Sequence, residues 1–208
     1  MKNNIFKADE QGITQAREII CGGGIIAFPT ETYYGLGADA FDRHALQRLF
    51  RVKSRKANKP LLLLIAQRTW LPNLVKKIPS LAEKLMGHFW PGPLTLIFEA
   101  SENLPEILTA GTGKVGIRIS SHPIAKALVE AVGGPITGTS ANRSGEASLR
   151  DPDQVRVSLG DSVDGVLDGG ITPGGTGSTV LDVTGEWPYL IRAGSIATNK
   201  LFSVIATP

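Results

Sequence analysis

A chain of 208 residues with 42% apolar content can bury one substantial core but is short for two enzyme domains, so a single domain over 1–208 is expected. Lys plus Arg number 22 against 19 Asp plus Glu, a surplus of +3 that suits a polyanionic ligand and lacks the long basic runs of a dedicated nucleic-acid arm. One cysteine excludes an internal disulfide, three scattered histidines give no structural zinc spacing, and neither an export signal nor an apolar run of about 20 residues is present, which predicts a cytoplasmic protein with no membrane span.

The first predicted element is a helix over 12–21, with Ile13, Ala16, Ile19 and Ile20 at helical spacing and a glycine triplet stopping it at Gly22. Ile25 to Phe28 then reads as a buried strand ending at Pro29. Asp42 suits the N-cap of a helix running through Val52, with Ala45, Leu46, Leu49 and Phe50 on one face. An apolar strand over 61–65 follows, then helices near 69–76 and 80–88. Trp90 to Pro93 forbids regular helix, and a strand resumes over 94–98. Strands over 115–119 and 135–139 flank a helix over 122–132 that carries Pro123 in its first turn. A helix near 151–159 and strands near 163–167, 178–183 and 188–192 complete the series. Interleaved helices and many short strands predict an α/β or α+β domain built on a twisted mixed sheet flanked by helices.

Polar side chains collect where these strands end. Pro29 to Gly37 packs threonines, Glu31 and two tyrosines against two glycines, either a ligand-facing turn or a Thr-capped turn with its tyrosines on the core. Lys53, Arg55 and Lys59 form a cationic loop suited to phosphates, since Arg grips two oxygens and Lys supplies a point charge; a solvated helix end would look the same. Ser140, Asn142, Ser144 and Ser148 follow the 135–139 strand, where open α/β sheets gather ligands. Arg118 lies inside a strand, so its guanidinium needs a carboxylate from a ligand or from the protein itself, the structural ion pair being the simpler account. Gly174 to Ser178 could form an anion-binding nest, and Arg192 closes the last strand. The chain contains no Walker A loop, no dinucleotide fingerprint and no catalytic triad pattern, so covalent catalysis is not expected.

Eight motifs run in order: PTETYYGLGADA (29–40), KSRKANKP (53–60), WPGPLTLI (90–97), VGIRISSHP (115–123), TSANRSGEAS (139–148), DGG (168–170), GSTVLDV (177–183) and IRAG (191–194). Together they resemble the YrdC-like family of threonylcarbamoyl-AMP synthases from about residue 12 to 195. The resemblance implies a YrdC-like open α/β fold and a nucleotidyltransferase that condenses L-threonine, bicarbonate and ATP into threonylcarbamoyl-adenylate and pyrophosphate, for t6A modification of tRNA. It implies Lys53 and Arg55 as catalytic charges beside the phosphates, and Arg55, Lys59, Ser140, Asn142, Ser148 and Arg192 at ATP. Thr32, Arg118 and Ser178 would hold threonine, with Arg118 on its carboxylate. Mg2+ is expected with ATP, held mainly by the substrate phosphates, and the t6A transferase machinery is expected to receive the product. Three positions depart from common relatives: Leu64 replaces a histidine, Lys59 an asparagine and Lys114 a threonine. The end of the chain soon after Arg192 suggests that it lacks the further C-terminal domain of longer relatives. Two other readings are a double-stranded RNA or tRNA-binding module of the same fold, and a nucleotide-binding paralogue with another acyl partner.

Overall fold

The computed structural model describes residues 5–54 and 59–206. In chain order the elements are β1 (Ile5–Lys7), α1 (Glu10–Cys21), β2 (Ile26–Pro29), β3 (Tyr34–Gly37), α2 (Arg43–Val52), β4 (Leu62–Leu64), α3 (Leu71–Leu74), α4 (Ser80–Phe89), β5 (Leu94–Glu99) and α5 (Glu106–Thr109). They continue with β6 (Lys114–Arg118), α6 (Pro123–Val132), β7 (Ile136–Thr137), β8 (Thr139–Ser140), α7 (Pro152–Leu159), β9 (Gly165–Asp168), β10 (Thr179–Asp182), β11 (Tyr189–Arg192) and α8 (Thr198–Ala206). The Asp42 carboxylate caps α2 by accepting from the amides of His44 at 2.8 Å and Ala45 at 3.1 Å, as its sequence position predicts. Asp9 caps α1 in the same way through Gly12 at 3.0 Å.

The strands form two mixed sheets among the described residues, not the one sheet that the sequence suggests. One has the order β1-β9-β2-β3-β8 and the other β11-β10-β5-β6-β4-β7. The expected strand at 135–139 is where they divide: β7 pairs with β4 in the larger sheet, and β8 pairs with β3 in the smaller one. Gly138 makes the crossing. Its amide donates to the Leu62 carbonyl at 2.8 Å, and a Cβ there would lie 2.7 Å from the Leu64 Cγ, so only glycine lets the backbone pass this close above β4. Strand β3 is likewise missed by local propensity, because glycines alternate through it. Tertiary packing makes the strand: Gly37 sits against the Phe28 ring of β2, where a Cβ would lie 2.9 Å away.

The two faces of the larger sheet have different fates. Register aligns Leu62 and Ile97 with Gly116, Leu64 with Arg118, and Thr95 with Val180, which in turn pairs with Arg192. Alternation therefore places Leu63, Leu96, Ile117 and Leu181 on the opposite face. Those four are fully buried in a core with Leu46 and Leu49 of α2 and Leu85 of α4. A second apolar cluster joins Ala16 and Ile20 of α1 to Phe28, Leu64, Leu128 and Leu167. Lys114 reaches across to Asp182 at 2.7 Å.

Candidate active site

Between the two sheets lies a cavity of about 540 Å³. Its floor is one face of the larger sheet, with Thr95, Ile97, Gly116 and Arg118; the β2–β3 turn contributes Thr30, Thr32 and Tyr33. The crossing at Gly138, Ser148, the glycine-rich loop ahead of β10, and Ile191 with Arg192 close the remaining sides.

Arg118 is only 3% exposed. Its Nη1 donates to the Glu31 Oε1 at 2.9 Å, so the strand arginine has the protein carboxylate that its burial demands. Of the two partners weighed for this strand arginine, the structural ion pair, the simpler account, is the one observed. The Glu31 Oε2 accepts a short bond from the Ser120 hydroxyl. Burial pulls the Arg118 guanidinium below its ordinary value; Glu31 opposes that shift and nearby Arg192 adds to it. Burial also lowers His122, against the opposing field of Glu31.

Arg192 and Ser178 are bonded to each other, so the residues assigned to ATP and to threonine meet at one point. The Arg192 Nη2 donates to the Ser178 Oγ at 2.9 Å, and its Nε and Nη2 donate to the Ser178 carbonyl at 3.1 and 2.8 Å. Ser178 Oγ also lies 3.1 Å from the Thr95 hydroxyl. The turn opposite holds the glycine-rich loop in place. Gly174 donates its amide to the Thr32 carbonyl at 2.6 Å, Tyr33 donates its hydroxyl to the Gly175 carbonyl, and Tyr34 donates to the Gly170 carbonyl at 2.9 Å. Burial pushes the Tyr34 phenol up to about 12, against the bond it accepts from Gly169. The Thr32 hydroxyl is 3.2 Å from that of Thr30.

Thr32, Arg118, Ser140, Ser148, Ser178 and Arg192 therefore share one cavity. Lys53 and Asn142 stand behind its wall. Lys53 is 1% exposed, and its ammonium donates to the carbonyls of Ser140 and of Asn142, the latter at 2.8 Å, and to the Asn142 Oδ1 at 3.0 Å. The Ser140 hydroxyl donates to the same Oδ1 at 2.6 Å, and the Asn142 Nδ2 donates to the Glu146 carbonyl at 2.6 Å. The Lys53 charge ties the end of α2 to the turn that presents Ser140. Sequence reasoning recognised that these motifs belong together but could not give the direction of the lysine. Asn142 likewise spends its amide on this turn.

Lys59 is exposed and outside the cavity lining, while its neighbour Pro60 lies in it. Arg55 falls outside the described residues. Leu64 shares the cavity-facing side of β4 but is covered by Gly138 and fully buried. Among the described residues no group of three or more His, Cys, Asp or Glu side chains could hold a metal ion, and no helix is long and apolar enough to cross a membrane. Sequence reasoning gave no role to Glu31, Ser120 or Thr95; the one available signal was a carboxylate in the 29–40 motif together with an unpaired strand arginine.

A family model named Sua5/YciO/YrdC, described as telomere recombination, matches residues 18–194. The chain is 42% identical over 200 residues to the threonylcarbamoyl-AMP synthase of Pyrococcus abyssi, an alignment that covers 96% of this chain and 58% of that protein. The crystal structure of P. abyssi Sua5 complexed with L-threonine is 40% identical with a TM-score of 0.93, over 98% of this chain and 60% of that one. The crystal structure of E. coli YciO is 29% identical with a TM-score of 0.86, over 96% of this chain and 97% of that one. The chain therefore spans about three fifths of the length of the P. abyssi proteins that it matches.

Proposed function

The chain belongs to the Sua5/YciO/YrdC family, and from that premise we propose that it is a threonylcarbamoyl-AMP synthase, using L-threonine, bicarbonate and MgATP. The observation that carries this reading is the convergence of a buried arginine, several hydroxyls and a second arginine on one cavity, whose volume of about 540 Å³ suits small-molecule substrates. The threonine carboxylate lies against Arg118, and its polar groups meet Ser178 and Thr32. The nucleotide lies along Ser140, Ser148 and Arg192, with Lys59 and Arg55 at the cationic loop.

No side-chain nucleophile is required for the reaction. The free amine of threonine captures CO2 from bicarbonate to give a carbamate; a carbamate oxygen then attacks the α-phosphorus of ATP, and the bond to the departing pyrophosphate breaks. The protein holds the reactants together and neutralises charge, and good orientation alone can supply about 7–11 kcal/mol. Among the described residues the cavity lining offers two arginines and no carboxylate, so Mg2+ enters as part of the MgATP substrate. The product passes to t6A transferase machinery and on to tRNA, which places the protein in the cytoplasm.

The test incubates the chain with MgATP, bicarbonate and labelled L-threonine and follows threonylcarbamoyl-adenylate and pyrophosphate. Pyrophosphate release that depends on threonine is the expected result, and its absence refutes the proposal. Binding of double-stranded RNA that falls steeply with salt and is indifferent to threonine would instead favour an RNA-binding module.

A further inference from the structure

We propose that Glu31 is a positioning residue for the α-carboxylate subsite, holding Arg118 from behind so that its remaining N–H edge is presented to the substrate. The inference rests on the threonine assignment above and extends it to a residue that does not line the cavity. A guanidinium has five N–H donors in a rigid plane. On Arg118 one Nη is taken by Glu31 at 2.9 Å, while the buried Nε has no hydrogen-bond partner among the described residues. Arg118 lines the cavity wall, so the guanidinium donors that Glu31 leaves uncommitted on that side are suited to a ligand carboxylate.

Glu31 is itself fixed. Its side chain is 13% exposed, one oxygen accepts from Arg118, and the other accepts from the Ser120 hydroxyl. The Ser120 oxygen in turn accepts from the His122 amide at 3.2 Å, at the start of α6. Glu31 comes from the turn between β2 and β3 of the smaller sheet, whereas Arg118 ends β6 of the larger one. The bond therefore spans the two walls of the cavity and sets the rotation of the guanidinium against both.

Reach and charge can be separated by two conservative variants. Glu31→Gln keeps the reach to Arg118 Nη1 and can still bond Ser120, but removes the charge. Glu31→Asp keeps the charge and withdraws the oxygens by one methylene. Labelled L-threonine binding is measured by equilibrium dialysis for wild type and both variants, with the KM values for threonine and ATP measured alongside. Glu31→Gln should bind threonine within about 3-fold of wild type, and Glu31→Asp about 10-fold or more weakly, the loss expected for a misplaced charged hydrogen bond. The ATP KM should change less than about 3-fold in either variant, as the site of action is Arg118. The opposite order, or Glu31→Asp binding as well as wild type, overturns the proposal. If wild type itself binds no threonine, the threonine assignment falls and this inference falls with it, whereas a wild type that binds while the variants fail to separate refutes Glu31 alone.

Discussion

Lys53→Met would remove an ammonium from beneath the Ser140–Asn142 turn and leave its acceptors in place. Lys53 is 1% exposed, and it bonds the Ser140 carbonyl, the Asn142 carbonyl and the Asn142 Oδ1. Each acceptor stranded in the interior costs about 1–3 kcal/mol, and breaking a buried charged network typically costs about 3–5 kcal/mol in all. Methionine fills the space of the lysine stem, so little cavity term is added. At about 2.1 cal/mol/K per residue, a 208-residue chain has an unfolding entropy near 0.44 kcal/mol/K, so the loss corresponds to a fall in Tm of roughly 7–11 °C. Scanning calorimetry measures it directly. A variant that melts within about 2 °C of wild type while its ATP KM rises would show that the ammonium acts on the substrate, and the positioning role argued from its bonds would be refuted.

Arg118→Ala should raise the threonine KM by about 10- to 100-fold and the ATP KM much less, whereas Arg192→Ala should raise both, because Arg192 is bonded to Ser178 at the meeting of the two subsites; steady-state kinetics against each substrate separates them. Gly194→Ala would drive a methyl into the backbone of Ser178 and Thr179, costing about 1–3 kcal/mol and moving Ser178 relative to Arg192. Unchanged melting and unchanged turnover in that variant would contradict the packing described. For pH, burial raises the Asp182 carboxyl, but hydrogen bonds from Lys114 and Thr184 outweigh it and hold the group below its ordinary value. A depressed carboxylate stabilises the fold above its unfolded pKa of about 3.9 and loses that contribution as pH falls through the lower folded value. Lys114→Ala should therefore be less stable than wild type near neutrality, with the difference closing below about pH 4; an equal gap at every pH would show that the pair contributes nothing through charge.

What could be read from the chain before its structure was whatever depends on near neighbours. Asp42 caps its helix from two and three residues away, and the alternation of residues 115–118 survives because the sheet accepts it. The ordered motifs carried the family and most of the cavity lining. Contacts distant in sequence decided what could not be read. Lys53 looks like any solvated helix-end lysine until carbonyls almost ninety positions later turn towards it. The division into two sheets depends on one glycine crossing above Leu64, and nothing in the apolar run from 135 to 139 distinguishes that from a continuous strand.

The same crossing explains how the chain accommodates an apolar side chain at position 64. Leu64 pairs in register with Arg118 and shares its face of the sheet, so a polar side chain there would stand beside the Arg118 guanidinium. Gly138 instead lies directly over it, and the leucine packs with Phe28 and Ile136 in the apolar cluster beneath α1 and α6. Burying a leucine fully is worth about 1.5–3 kcal/mol, whereas an imidazole in the same enclosed position would require a hydrogen-bond partner. With leucine at this position, Glu31 is the only carboxylate partner of Arg118 among the described residues.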